Sequence, residues 1–102
     1  MKLVRDLIPS IIEKDGKSCE FHVAGDSEYR AELYKKMIEE FDEFVENPCM
    51  EEAADMYEVL LALCAYHKFT ILDVLATAEQ KKQARGGFEK RLILRRVINE
   101  SR

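Results

Sequence analysis

The chain has 102 residues, 47% of them hydrophobic and 35% charged, with no Trp and a formal net charge of −4. That length allows one domain, residues 1–102; the composition is too apolar for a disordered chain and too charged for a membrane protein. The acidic balance argues against a surface that coats a nucleic-acid polymer, which needs a basic stripe, but leaves room for a polyanionic small molecule held through a metal.

Taken in order, Leu3 to Lys14 predicts a short helix, with Pro9 placed most easily in its first turn. The first residues carry charge where a signal peptide needs an apolar run. Asp15-Gly16 is a turn signal. Cys19 to Val23 alternates and predicts a short strand closed by Gly25, after which Asp26 or Ser27 can cap the next helix. That helix runs from Glu28 to about Glu46, with Leu33, Met37, Phe41, Phe44 and Val45 spaced three and four apart. Asn47-Pro48 ends it and starts another, Asn as N-cap and Pro at the first helical position. The second long helix, Met50 to about His67, carries Met56, Val59, Leu60, Leu63 and Tyr66 on one side. Its apolar run is broken by Glu58 and falls far short of the roughly 20 residues of a membrane span. Thr70 can cap a further helix from Ile71 to about Ala84, stopped by Gly86-Gly87. Arg91 to Ile98 is β-branched and forms either a last helix or, as the favoured reading, a strand pairing with 19–23. The expected architecture is therefore mainly α: an antiparallel hairpin and a third helix, with a small two-stranded ribbon.

Cys19, Cys49 and Cys64 are odd in number and contain no C-x-x-C pair, which reads as three buried or half-buried thiols in a cytoplasmic protein. A lone chain of this size buries little of its surface, and the apolar stripes of so few helices are incompletely covered. A homodimer or homotetramer with a helical interface is the expectation.

The informative feature flanks Asn47-Pro48. Glu40 and Glu43 are three apart on one helix, hence neighbours on one face; Glu52 and Asp55 repeat that spacing on the next. A short loop makes the helices antiparallel neighbours. At about 1.5 Å per residue, Glu43 and Glu52 lie about 6 and 7.5 Å from Asn47, and Glu40 and Asp55 about 10.5 and 12 Å. The hairpin stacks two carboxylate pairs at matching heights. At about 100° per residue, Glu52 falls within the stripe of Met56, Val59 and Leu63, with Asp55 at its edge, and Glu40 falls in the stripe of Leu33 and Phe44, within about 40° of both. Unpaired buried carboxylates are costly, and four together repel. Mg²⁺ or Mn²⁺, hard cations that prefer oxygen, relieve both problems. The other acids, Glu13, Glu32, Glu39, Asp42, Glu46, Glu51, Asp73 and Glu79, read as a solvated face.

The element E-E-x-x-E (Glu39 to Glu43) followed by E-x-x-D (Glu52 to Asp55) resembles the MazG-like, all-α nucleoside triphosphate pyrophosphohydrolase superfamily, which includes phosphoribosyl-ATP pyrophosphohydrolase and the dimeric dUTPases. Lys2-Leu3-Val4-Arg5-Asp6-Leu7-Ile8-Pro9 and Arg85-Gly86-Gly87-Phe88 are similar to motifs of a predicted house-cleaning subgroup. The resemblance implies that Glu40, Glu43, Glu52 and Asp55 hold magnesium and that the reaction is hydrolysis of a nucleoside triphosphate, non-standard or damaged ones included, to monophosphate and pyrophosphate. Many relatives place a Lys before the Phe of the last motif, where this chain has Gly87, so the phosphate role passes to Lys82, Arg85 or Arg91. The short spacer between the carboxylate motifs leaves base preference open.

In such a site Glu40 or Glu43 accepts the proton of the attacking water, and Lys36, beside Glu40 on its helix, joins Lys82 and Arg85 as a phosphate-binding cation. Arg5 is the weaker candidate, since Asp6 or other acids can pair with it. His22 and His67 have no Cys or His at ligand spacing, and His67 suits a helix C-terminus. Two alternatives stay open: phosphoribosyl-ATP pyrophosphohydrolase itself, and a non-catalytic helical dimerisation module whose carboxylates pair with Lys and Arg.

Overall fold

The computed structural model describes residues 1–99, and those residues form four helices and no strand. They are α1 (Ile8–Lys14), α2 (Asp26–Glu46), α3 (Met50–Tyr66) and α4 (Ile71–Arg85). The chain divides into two compact units, Met1–Ile71 and Leu72–Arg102.

In the first unit, α1 carries Pro9 in its opening turn, where the missing N–H would have had no helical partner anyway. It ends at Asp15, and Gly16 takes φ 83° while donating its N–H to the Glu13 carbonyl at 3.0 Å. The long helix α2 starts two residues earlier than its periodicity suggests. Gly25 is its N-cap; neither Asp26 nor Ser27 caps it, because Asp26 is already helical and its carboxylate accepts a 2.9 Å hydrogen bond from the Tyr66 hydroxyl.

The link between α2 and α3 corrects a second expectation. Asn47 is the C-cap of α2, with φ −141° and its N–H on the Glu43 carbonyl at 3.0 Å. The N-cap of α3 is Cys49, in extended conformation. Pro48 lies outside both helices and biases Asn47 away from helical angles. Cys49 is exposed there, whereas Cys19 is half-buried and Cys64 buried; the burial expected of all three thiols fails at Cys49.

α3 closes through His67, Lys68 and Phe69. The Phe69 N–H reaches the Cys64 carbonyl at 2.8 Å and the Lys68 N–H the Ala65 carbonyl at 3.1 Å, with Lys68 left-handed at φ 63°. This is the Schellman arrangement with a lysine where glycine is usual.

The helices α2 and α3 pack as the antiparallel hairpin, and the core lies between them: Leu33, Val59 and Cys64 are buried. Met37, Phe44, Met56 and Leu63 are half-buried around them. Tyr66 is half-buried as well, but three apolar residues of the expected stripes do not join. Phe41, Val45 and Leu60 are 52%, 59% and 41% exposed. With Tyr34 and Ile38, Phe41 and Val45 form a second stripe along α2 at the helical spacing i, i+4, i+7, i+11.

The second unit holds α4 and the segment after it. Asp73 in the first turn of α4 and Lys82 and Arg85 in the last match the signs of the helix dipole. Gly86 stops the helix at φ 85°, its N–H on the Lys82 carbonyl at 2.7 Å.

The expected ribbon is absent among the described residues: neither 19–23 nor 91–98 is a strand, and 91–98 is not a helix either. Arg91 has φ 57°, which breaks an extended run at its first residue, and an isolated two-stranded ribbon is marginal on its own. No single described helix is long and apolar enough to cross a membrane.

Candidate functional site

Glu40 and Glu43 reach the site from α2, and Glu52 and Asp55 from α3. Glu52 is the third residue of α3, close to the positive end of that helix, where a carboxylate is favoured. Glu40 sits in the middle of α2 and is only 6% exposed, because the three- and four-residue spacing that buries Leu33 also turns it inward.

One oxygen from each of Glu40, Glu52 and Asp55 lies within 4.8 Å of the others, and the same holds for Glu39, Glu40 and Glu43. Glu40 belongs to both groups. Among the described residues, Glu40 Oε2 and Glu52 Oε2 are buried with no hydrogen-bond partner. A buried, unsatisfied carboxylate oxygen costs several kcal/mol in an apolar setting, and buried polar atoms in folded proteins are nearly always paired.

Glu39 Oε1, Glu40 Oε1 and Asp55 Oδ1 are answered by cations. Lys36 Nζ lies 3.1 Å from Glu40 Oε1 and 3.5 Å from Glu39 Oε1, with its side chain 18% exposed. Burial works against its charge, but the hydrogen bond to Glu40 and the field of Glu39 outweigh it, and its pKa is raised. Glu39, expected on a solvated face, is half-buried and paired with Lys2 Nζ at 3.3 Å as well as with Lys36. Its desolvation is outweighed by the hydrogen bond from Lys2 and the charge of Lys36, so its pKa is lowered. Glu43 goes the other way. The negative charge of Glu40, then desolvation and a shared hydrogen bond with Glu40, hold its carboxyl above the usual range.

Arg5 Nη2 donates to Asp55 Oδ1 at 2.6 Å across 50 positions of sequence. Neither this pair nor Lys2–Glu39 is visible in local spacing. Arg5, Lys36, Glu40 and Asp55, with apolar Leu33 and Val59, help line a cavity of about 770 Å³. Lys36 is thus the one expected phosphate-binding cation brought to the carboxylates within the first unit. Lys82 and Arg85 occupy the last turn of α4 in the second unit, and Arg91 follows with its N–H on the Phe88 carbonyl at 3.0 Å.

The remaining acids behave as surface charge: Glu13, Asp42, Glu46, Glu51, Asp73 and Glu79 are exposed, and Glu32, half-buried, pairs with Lys35 at 3.3 Å. His22 pairs with Glu28 and His67 with the Tyr34 hydroxyl, each at 3.0 Å.

Mg²⁺ with oxygens at about 2.1 Å places its ligands about 3–4 Å apart, and the oxygens of each group lie within 4.8 Å of one another. The donor set is all oxygen, the chemistry of Mg²⁺ or Mn²⁺ rather than of zinc or copper. Comparison with family models, curated proteins and solved structures finds no match to this chain.

Proposed function

We propose that the chain is a Mg²⁺-dependent nucleotide pyrophosphohydrolase, cleaving a nucleoside triphosphate to monophosphate and pyrophosphate. One observation carries the reading: the unpartnered, buried oxygens of Glu40 and Glu52 stand in one cluster with Asp55. An arrangement that costs stability and is repeated on both helices asks for a ligand, and a divalent cation satisfies both oxygens.

Glu40, Glu52 and Asp55 hold the cation, with Glu43 beside them. Mg²⁺ at such a site neutralises phosphate oxygens and lowers the pKa of a bound water. Glu43, one turn from Glu40 on α2, accepts the water proton. Lys36, held against Glu40, contributes positive charge toward the phosphates. The assembly is a homodimer or homotetramer, a reading supported by the open stripe of Tyr34, Ile38, Phe41 and Val45; light scattering at micromolar concentration checks it, and a monomer removes it.

The deciding experiment offers a panel of normal and damaged nucleoside triphosphates with Mg²⁺ and reads pyrophosphate release from wild type and Glu40→Gln. Release by the wild type and its loss in the variant is the expected result. No release from any member of the panel overturns the reading.

A second reading rests on the ion pairs Lys36–Glu40 and Arg5–Asp55: a non-catalytic helical module whose carboxylates are structural. It predicts that Mg²⁺ leaves stability unchanged.

A further inference from the structure

Asp55 differs from the other cluster carboxylates in having a guanidinium bonded to it from outside the hairpin. Arg5 comes from the segment before α1, and residues 1–5 have no regular secondary structure. Its side chain is 56% exposed and that of Asp55 40%. Lys2, three residues earlier, ties the same segment to Glu39 at 3.3 Å, so the segment lies over the hairpin at two points and forms part of the wall of the 770 Å³ cavity.

Lys36 and Arg5 stand in different relations to a cation. Lys36 bonds Glu40 through Oε1 with its side chain only 18% exposed and Glu39 as a second partner, whereas Arg5 bonds Asp55 through Oδ1 alone with its side chain 56% exposed. Asp55 is a smaller carboxylate on a shorter arm. A dication drawn into the cluster brings its charge against the guanidinium, and the two repel. An ion pair this exposed is weak, so the guanidinium is the partner that yields. Once released, it stays beside the cluster, because Leu3 and Ile8 on either side of it are half-buried and help line the same cavity. Its planar fork of donors matches phosphate oxygens.

We propose that Arg5 is a displaceable counter-ion: a divalent cation takes Asp55 from it, and the freed guanidinium then binds a phosphate of the ligand in the adjoining cavity. The proposal rests on the metal reading of the carboxylate cluster and adds to it a residue that links cation binding to phosphate binding.

Calorimetric titration of the full chain tests it, with Mn²⁺ alone and then with inorganic pyrophosphate under excess Mn²⁺. Arg5→Gln should bind Mn²⁺ about two- to fivefold tighter than wild type, the worth of a half-exposed ion pair. It should bind pyrophosphate about tenfold weaker, the loss of one charge-assisted hydrogen bond. Arg5→Lys, which keeps the charge without the fork, should fall between. Lys2→Gln removes the same charge from the same segment without touching Asp55, and its Mn²⁺ affinity should stay close to wild type.

Equal or weaker Mn²⁺ binding by Arg5→Gln overturns the counter-ion role. Unchanged pyrophosphate affinity overturns the phosphate role. An equal gain in Lys2→Gln overturns the specific pair in favour of a general charge effect. If wild type and all variants fail to bind Mn²⁺, the carboxylate cluster is not a metal site, and both readings fall together.

Discussion

The two ends of the α2–α3 hairpin are built from the same helices and solve opposite problems. At the end away from Asn47, side chains satisfy one another: the Tyr66 hydroxyl donates to Asp26, Tyr34 shares a hydrogen bond with His67 Nε2, and His67 stacks with Phe69 at 5.9 Å between ring centroids. Tyr29 meets Tyr66 edge-on at 5.9 Å. At the end near Asn47, like charges crowd and two buried oxygens go unpartnered. One end is arranged for packing and pairing within the chain. The other leaves two buried carboxylate oxygens without a partner, at a cost in stability. The same substitution chemistry should therefore have opposite consequences at the two ends.

The sharpest break between them is Glu52→Gln. It keeps the shape and removes one charge from the cluster, so thermal stability without metal should hold or rise as repulsion is relieved. Pyrophosphate release should fall about a hundredfold or more, since metal-borne charge stabilisation is worth several kcal/mol. A melt that drops by roughly 3–5 kcal/mol, with metal affinity intact, would show Glu52 to be paired structurally and would erase the contrast. The next effect is on wild type. Mg²⁺ at about a hundred times its dissociation constant should stabilise the fold by ~2.7 kcal/mol, read as a rise in melting temperature over chelator-treated protein. A flat titration counts against the site.

At the other end Tyr66→Phe should lower stability by about 1 kcal/mol, through loss of the bond to Asp26, and leave metal affinity unchanged. An altered metal affinity would mean that the two ends are not independent.

The smallest effect is a pH dependence. The folded-state pKa of Glu43 is raised by Glu40, so the folded chain binds the proton more tightly than the unfolded one. Its ionisation then costs stability as pH rises through and above the ordinary glutamate range. Glu43→Gln should be the more stable protein at neutral pH, and its advantage should vanish on acidification below that range. A difference that instead grows toward low pH would show that Glu43 is stabilised as an anion.

The contrast between the ends also marks what the sequence discloses. Glu40, Glu43, Glu52 and Asp55 could be brought together on paper because helical spacing is periodic and a short link fixes the pairing of two helices. The helix ends at Gly16 and Gly86 follow from the left-handed backbone that glycine permits. The pair Arg5–Asp55, and the withdrawal of Glu39 from solvent by Lys2, depend on how an irregular segment lies on the hairpin, for which no period exists. The ribbon failed for a related reason. Alternation in 19–23 and β-branching in 91–98 report a local preference, but a strand needs a partner, and the left-handed Arg91 interrupts the second segment at its start. The split of the α2 apolar residues into a covered stripe and an open one was equally hidden, since periodicity shows that a face is apolar without showing what covers it.

The link between α2 and α3, residues 47–49, has a kinetic consequence. Contacts between neighbouring helices joined by so short a closure have low contact order and form quickly. All four carboxylates therefore meet while the hairpin zips, before the rest of the chain has settled. Their repulsion acts as a brake on that early step. On the proposed metal reading, a divalent cation should lift it and quicken refolding as well as slow unfolding, so the folding limb of the chevron should itself shift with metal.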